Sequence, residues 1–252
     1  MLTSQRKKLI LTRLARDGQI VAKALSEELG TSEDTIRRDL RELAAEGKLQ
    51  RVHGGALPAS AAIETLTVRR AVSSADKANL ARAGAALIRS GQVVILDGGT
   101  TTTELARCLP LDLHATVVTH SPGIAVELAE HPHVDVILLG GKLFKHSMVT
   151  VGTATVEAAG RLHADLYFMG VTGAHPKAGL TTGDYEEACV KRALHACAAE
   201  TFVMASSEKL GAASPHVICG ITEIAALLVP PDTPEEMLRG VTDLGVDVIR
   251  AA

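Results

Sequence analysis

With 252 residues and 46% hydrophobic composition, the chain holds enough apolar material for one large buried core or two smaller ones, so it is expected to be globular. No apolar run approaches the roughly 20 residues that cross a bilayer, and Met1 to Lys8 lead into a charged amphipathic segment instead of a secretion signal; the expectation is a cytoplasmic protein with no membrane partner. The net charge of −3 is unevenly spread: residues 1–56 carry 11 Lys/Arg against 8 Asp/Glu, so a mildly basic head precedes an acidic body, as for a DNA-binding module joined to something that is not one.

Gln5 to Asp17 carries Leu9, Ile10, Leu11 and Leu14 at helical spacing and stops at Asp17-Gly18, which predicts a first helix. Val21 to Leu29 reads as a second, short and amphipathic, with Gly30 as the residue after its end and Gly30-Thr31-Ser32 as a turn of helix-turn-helix length. Thr31 or Ser32 then caps a third helix, with Glu33 and Asp34 placed where the helix dipole favours acids. On that helix Ile36, Leu40 and Leu43 share one face, Arg38 and Arg41 point away from it, and Thr35 and Arg37 flank. An arginine-bearing helix face is, by itself, most often only solvated. Here a basic hairpin follows: Gly47 to Val52 turns at His53-Gly54-Gly55 and returns through Ala56-Leu57, a two-stranded wing.

The run Thr35 to Leu40 (TIRRDL), followed by Arg51-Val52-His53-Gly54-Gly55-Ala56, strongly resembles the N-terminal module of the DeoR family of bacterial transcription regulators. The resemblance implies double-stranded operator DNA as a partner, with Thr35, Arg37, Arg38 and Arg41 facing bases or nearby phosphates and Lys48, Arg51 and His53 holding the flanking backbone. A module this small gives modest specificity alone, so a homo-oligomer is expected.

Residues 1–57 are therefore read as a winged helix-turn-helix domain, the interrupted stretch 58–74 as a linker, and 75–252 as a second domain. A helix from Ser74 to about Ile88 packs through Leu80, Ala81, Gly84, Ala85 and Ile88. Strands are predicted at Val93–Asp97, Ala115–Thr119, Val134–Leu139, Leu166–Gly170, Thr201–Ala205, Val217–Ile218, Ala226–Val229 and Val246–Ile249, with helices at Thr103–Leu109, from Pro122, and at Tyr185–Ala198. Alternating strands and helices predict a Rossmann-like, mostly parallel α/β domain. Cys108, Cys189, Cys197 and Cys219 are scattered and His131-Pro132-His133 reads as a turn, so no metal or cofactor site is expected.

In such a sheet ligands bind at the carboxyl ends of strands, and Asp97-Gly98-Gly99-Thr100-Thr101-Thr102 is the best loop for it. Glycines admit close backbone approach, first-turn N–H groups face the ligand and threonine hydroxyls donate: an oxyanion cradle of the kind that holds phosphate, lacking the Walker and dinucleotide signatures.

From Lys77 to roughly Val229 the chain resembles the DeoR family's C-terminal sensor domain, similar in fold to ribose-5-phosphate isomerase and glucosamine-6-phosphate deaminase. The matching pieces are Asp97 to Thr102, Thr119-His120-Ser121, Gly140-Gly141, Gly152, Gly170 to Gly173, Glu187 with Lys191, and Ser207 to Gly211. The resemblance implies a phosphorylated sugar or related metabolite, its phosphate on Gly99 to Thr102 with Lys209, and Thr119, Ser121, Gly140, Gly141, Glu187 and Lys191 around the rest. Glu187 and Lys191 also suit a plain i,i+4 helix-surface pair. The family commonly has Asn at His120 and Asp at Ser206, departures that alter the sugar-facing half or make binding pH-dependent. The alternative is a sugar-phosphate isomerase or deaminase with an N-terminal appendage; Asp97, Asp184, Glu187 and His120 could move protons, but none stands in a catalytic motif.

Overall fold

The computed structural model describes residues 2–60 and 74–251, so the expected linker 58–74 lies mostly outside the described residues. The head runs α1 (Thr3–Asp17), β1 (Ile20–Val21), α2 (Ala22–Glu28), α3 (Glu33–Ala45), β2 (Leu49–Val52) and β3 (Gly55–Pro58). Ile10, Leu14, Leu25, Ile36, Leu40, Leu43 and Leu49 form its core. Ser32, not Thr31, caps α3, accepting from the Thr35 N–H at 3.2 Å. Arg6 holds α1 to α3 by a forked contact with both carboxylate oxygens of the buried Asp39.

Where the sequence predicts a two-stranded wing, the sheet has three strands, in the order β1-β3-β2. Two residues have no period to reveal a strand. Ile20 and Val21 become one only because β3 pairs with them, Ile20 opposite Ala56 and Val21 opposite Gly55. That pairing requires glycine at 55, where a Cβ would stand 1.7 Å from the Ile20 carbonyl oxygen.

The body continues with α4 (Ser74–Ala85), β4 (Val93–Leu96), α5 (Thr100–Arg107), β5 (Ala115–Thr119), α6 (Pro122–Glu127), β6 (Val134–Leu138), β7 (Lys142–Phe144), β8 (Val149–Val151), α7 (Thr153–Ala159) and β9 (Ala164–Met169). Then follow β10 (Gly173–His175), β11 (Gly179–Thr182), α8 (Tyr185–Ala196), β12 (Ala198–Met204), β13 (His216–Cys219), β14 (Ala226–Val229), α9 (Glu235–Thr242) and β15 (Asp247–Arg250). Seven of these strands form one parallel sheet, β15-β14-β12-β9-β4-β5-β6.

Successive strand residues point to opposite faces. Ile95, Val118, Tyr167 and Val203 join one core layer; Val94, Leu96, Phe168 and Leu228 join the other. Gly84 admits a close neighbour: a Cβ there would lie 2.7 Å from the Leu105 Cδ1 on α5. The expected strand at 217–218 does not join the parallel sheet. It belongs to a second, antiparallel sheet, β10-β11-β13, beside the carboxyl ends of the main strands. Among the described residues no helix is long and apolar enough to cross a membrane.

Candidate functional site

On the head, Arg37, Arg38 and Arg41 are exposed along α3 and Thr35 is half-buried. Arg37 is paired with Glu33 one turn earlier at 2.7 Å, and the Thr35 hydroxyl lies 2.9 Å from that of Ser32. Lys48 is exposed but paired with Glu46 at 2.6 Å. The side chains of Arg38, Arg41, Arg51 and His53 are exposed and without a partner among the described residues. The structure thus brings cations of α3 and the wing out to solvent on one small domain, the arrangement that neutralises backbone phosphates and releases their counterions.

In the body the strand order reverses at β4: β5 and β6 lie to one side, β9, β12, β14 and β15 to the other. Loops leaving β4 and β9 diverge there, and a cavity opens between them. Its wall includes Gly98, Gly99, Thr100, Thr101, Thr102, Glu187, Lys191 and Lys209 from the expected set. The helix α5 starts at Thr100, three residues earlier than the sequence reading places it, so the threonines form its first turn, where amides lack partners inside the helix. Gly99 makes this possible at φ 137°, and its carbonyl is taken by the Thr102 and Thr103 hydroxyls at 3.1 and 2.7 Å.

Asp97 does not line the cavity. It is fully buried beneath it and spends both oxygens internally. Oδ1 accepts from the Gly98 N–H at 2.8 Å and lies 2.6 Å from His120 Nε2; Oδ2 accepts from Tyr167 at 3.0 Å, Gly170 N–H at 2.8 Å and Lys191 Nζ. Lys191 also meets Glu187 at 3.3 Å. Burial alone would raise Asp97; Lys191 and His120 outweigh it and hold the carboxyl well below the usual carboxylate range. Burial pulls the Lys191 ammonium down, but Asp97 and Glu187 overcome this and raise it. The Tyr167 phenol is pushed well above its ordinary value by burial and by Asp97. Glu187 and Lys191 are an i,i+4 pair, but a buried one, not the helix-surface pair the sequence also allowed.

Six further expected residues lie outside the cavity wall. His120 is fully buried, its Nδ1 2.9 Å from the Thr150 carbonyl and its Nε2 on Asp97, so it braces β4, β5 and β8. Thr119 donates to the Leu96 carbonyl at 2.7 Å, and Ser121 to that of Met148 at 3.4 Å. Gly140 accepts from the Thr155 hydroxyl at 2.8 Å; at Gly141 a Cβ would stand 2.1 Å from the same oxygen. Gly152 caps α7 at φ 96°. The loops after β5 and β6 are consumed in joining the sheet to the β7-β8 hairpin and α7, elements too short to be legible in the sequence.

In their place the wall gains Lys77, Thr172, Thr182 and Glu208: Thr172 and Glu208 stand in the matching runs Gly170 to Gly173 and Ser207 to Gly211 without an assigned contact, and sequence reasoning missed Lys77 and Thr182. Lys77 had a signal: it shares the α4 packing face with Leu80, Ala81 and Gly84, an uncommon place for a lysine, and it is 3% exposed. Ser206, one of the departures, donates to Glu208 at 2.6 Å; despite burial, this contact lowers the Glu208 carboxyl.

The DeoR C terminal sensor domain family matches residues 72–229, and the DeoR-like helix-turn-helix domain matches residues 6–61. The chain belongs to the DeoR family. Over 260 residues it is 34% identical to the HTH-type transcriptional regulator GlpR of Haloferax volcanii, covering 99% of this chain and 98% of that one. The glycerol-3-phosphate regulon repressor of Escherichia coli K12 is 28% identical over 244 residues, 96% of this chain and 97% of that one. A solved ribose 5-phosphate isomerase A from Methanocaldococcus jannaschii aligns over 53% of this chain and 52% of that one at 16% identity and TM-score 0.40.

This DeoR-family chain is a DNA-binding transcription regulator, as its relatives are named, in preference to the isomerase or deaminase alternative. Of the four groups able to move protons, Asp97 and His120 are bonded to each other below the cavity and Asp184 caps α8 by accepting from the Glu187 N–H at 2.9 Å, which leaves Glu187 in the cavity wall.

Proposed function

We propose that this DeoR-family regulator is a repressor that grips double-stranded operator DNA through α3 and the wing, acting in the cytoplasm as a homo-oligomer, and that a phosphorylated sugar or related metabolite in the switch-point cavity controls that grip. The anion cradle at Gly98 to Thr102, with Lys77 and Lys209 in the same wall, supports phosphate recognition. A relative named for the glycerol-3-phosphate regulon fits the same chemistry.

The observation that carries control is the attachment of the head to the cavity wall. Beyond β3 the chain continues as Ala59-Ser60. The Pro58 carbonyl accepts from the Ala213 N–H at 3.3 Å, Ala59 bridges Ala213, and the Ser60 hydroxyl donates to the Thr172 carbonyl. Thr172 lines the cavity, and Ala213 lies four residues beyond Lys209, which also lines it. The segment that leaves the wing's last strand is thus bonded, through Ser60, to a residue of the wall that a metabolite would touch.

For this to be a switch, the metabolite must bind the DNA-competent and DNA-incompetent arrangements with different affinity. Induction with release is the expected direction. Operator binding followed by fluorescence anisotropy tests it: a phosphorylated sugar should weaken binding about tenfold or more, its unphosphorylated form should not. A sugar phosphate that binds the protein while operator affinity stays constant overturns the switch.

A further inference from the structure

Two buried side-chain oxygens among the described residues have no hydrogen-bond partner, Thr101 Oγ1 and Thr182 Oγ1, and both residues line the switch-point cavity. Thr101 belongs to the amide-rich turn of α5. Thr182 is separate from it: the last residue of β11, on the antiparallel sheet, and fully buried.

Its surroundings make the vacancy of its hydroxyl unusual. The neighbouring Thr181 hydroxyl donates to the Gly173 carbonyl at 3.3 Å and accepts from the Ser214 N–H at 3.0 Å. The Thr181 carbonyl accepts from the Thr172 N–H at 2.9 Å and from its hydroxyl at 3.1 Å. The Thr172 hydroxyl also meets that of Ser214 at 2.7 Å. In this cluster Thr182 alone carries an unused hydroxyl. A buried hydroxyl without a partner is costly, and valine would fill the same volume without that cost. Threonine is therefore explained by a partner that arrives with the ligand.

The same wall limits what that partner is. Glu187, 8% exposed, presents a carboxylate that accepts and never donates while ionised; among the described residues one contact each, from Lys191 and Ser147, engages its two oxygens. Glu208 adds a second carboxylate to the cavity. An acceptor-only carboxylate and a free hydroxyl suit a ligand group that donates; of the three lysines in the wall Lys191 is engaged by Asp97 and Glu187, and Lys77 with Lys209 suit one phosphate. We propose that Thr182, together with Glu187, is a specificity-determining contact for the hydroxyl-bearing chain of a singly phosphorylated sugar or polyol. The proposal rests on the anion-cradle reading above and adds to it the discrimination of what is attached to the phosphate.

The test is isothermal titration of the full chain with inorganic phosphate, glycerol 3-phosphate, ribose 5-phosphate and ribulose 1,5-bisphosphate, comparing wild type with Thr182→Val, Thr182→Ser and Thr101→Val. Wild type should bind at least one monophosphorylated polyol more tightly than inorganic phosphate or the bisphosphate. Thr182→Val should lose about tenfold toward that polyol while keeping its affinity for inorganic phosphate. Thr182→Ser, which retains the hydroxyl, should restore the preference and also reports on folding at this position. Thr101→Val should weaken all four.

Equal affinity of Thr182→Val and wild type for every probe, or a uniform loss across them with Thr182→Ser equally impaired, overturns the role of Thr182. Wild type binding inorganic phosphate as well as any polyol phosphate overturns this proposal while the anion cradle stands. Wild type binding none of the four overturns both.

Discussion

The head and the body use charge in opposite ways. Arg38, Arg41, Arg51 and His53 stand in solvent with no partner among the described residues, whereas Asp97, His120, Lys191 and Glu187 are buried and bonded to one another. An exposed cation costs little to keep, contributes little to folding, and is available to a phosphate backbone. A buried charge is expensive unless compensated, so it stays where its partners are and serves to fix geometry. Net charge, mildly basic in the head and acidic in the body, conveys the first role and says nothing of the second.

The largest effect that would break this contrast is on the buried cluster. Replacing Asp97 by Asn removes the carboxylate that the buried Lys191 and His120 both contact, leaves the Lys191 ammonium with Glu187 alone, and should destabilise the body by about 3–5 kcal/mol, read by chemical denaturation. The pH dependence sharpens the same point. Because the Asp97 pKa is lower in the folded state than in the unfolded chain, the stability it confers is complete above the unfolded value of about 3.9 and is lost as pH falls below that toward the lowered folded value. The stability difference between wild type and Asp97→Asn should therefore be flat between about pH 5 and 8 and shrink below about pH 4. A difference that persists undiminished into acid would show that Asp97 acts through shape alone.

On the exposed side, Arg38→Ala and Arg41→Ala should each cost about 1–3 kcal/mol of operator affinity and reduce its salt dependence, with the melting curve unchanged. Unaltered DNA affinity would mean that the winged module contacts protein instead. Gly55→Ala probes the element the sequence concealed. Its new Cβ would collide with the Ile20 carbonyl, so β1 must part from β3 and the head should lose about 1–3 kcal/mol, seen as faster amide exchange at Ala22, whose N–H bonds the Gly54 carbonyl, and at Ala56. The smallest effect is expected at the junction. Ser60→Ala removes the bond between the segment following the wing and the cavity wall at Thr172, and should reduce the effector's influence on operator affinity while effector binding itself stays within about twofold.

The sequence by itself determined the helix-turn-helix, the parallel α/β class and the Asp97 to Thr102 loop, because each depends on residues close together in the chain: a cap, a periodic apolar face, a glycine-threonine turn after a strand. Tertiary structure decided what lies beyond such local signals. The strand at Ile20–Val21 exists only through its pairing with β3, and the antiparallel sheet that carries Thr182 is completed by β13, far along the chain from the short β10-β11 hairpin it joins. Packing also moved Asp97 and His120 beneath the site and brought Lys77, Thr172 and Thr182 into it. A residue's type and its neighbours in the chain state which contacts it is able to make; which of them it does make depends on what the fold places opposite, through pairings between distant residues that no local pattern encodes.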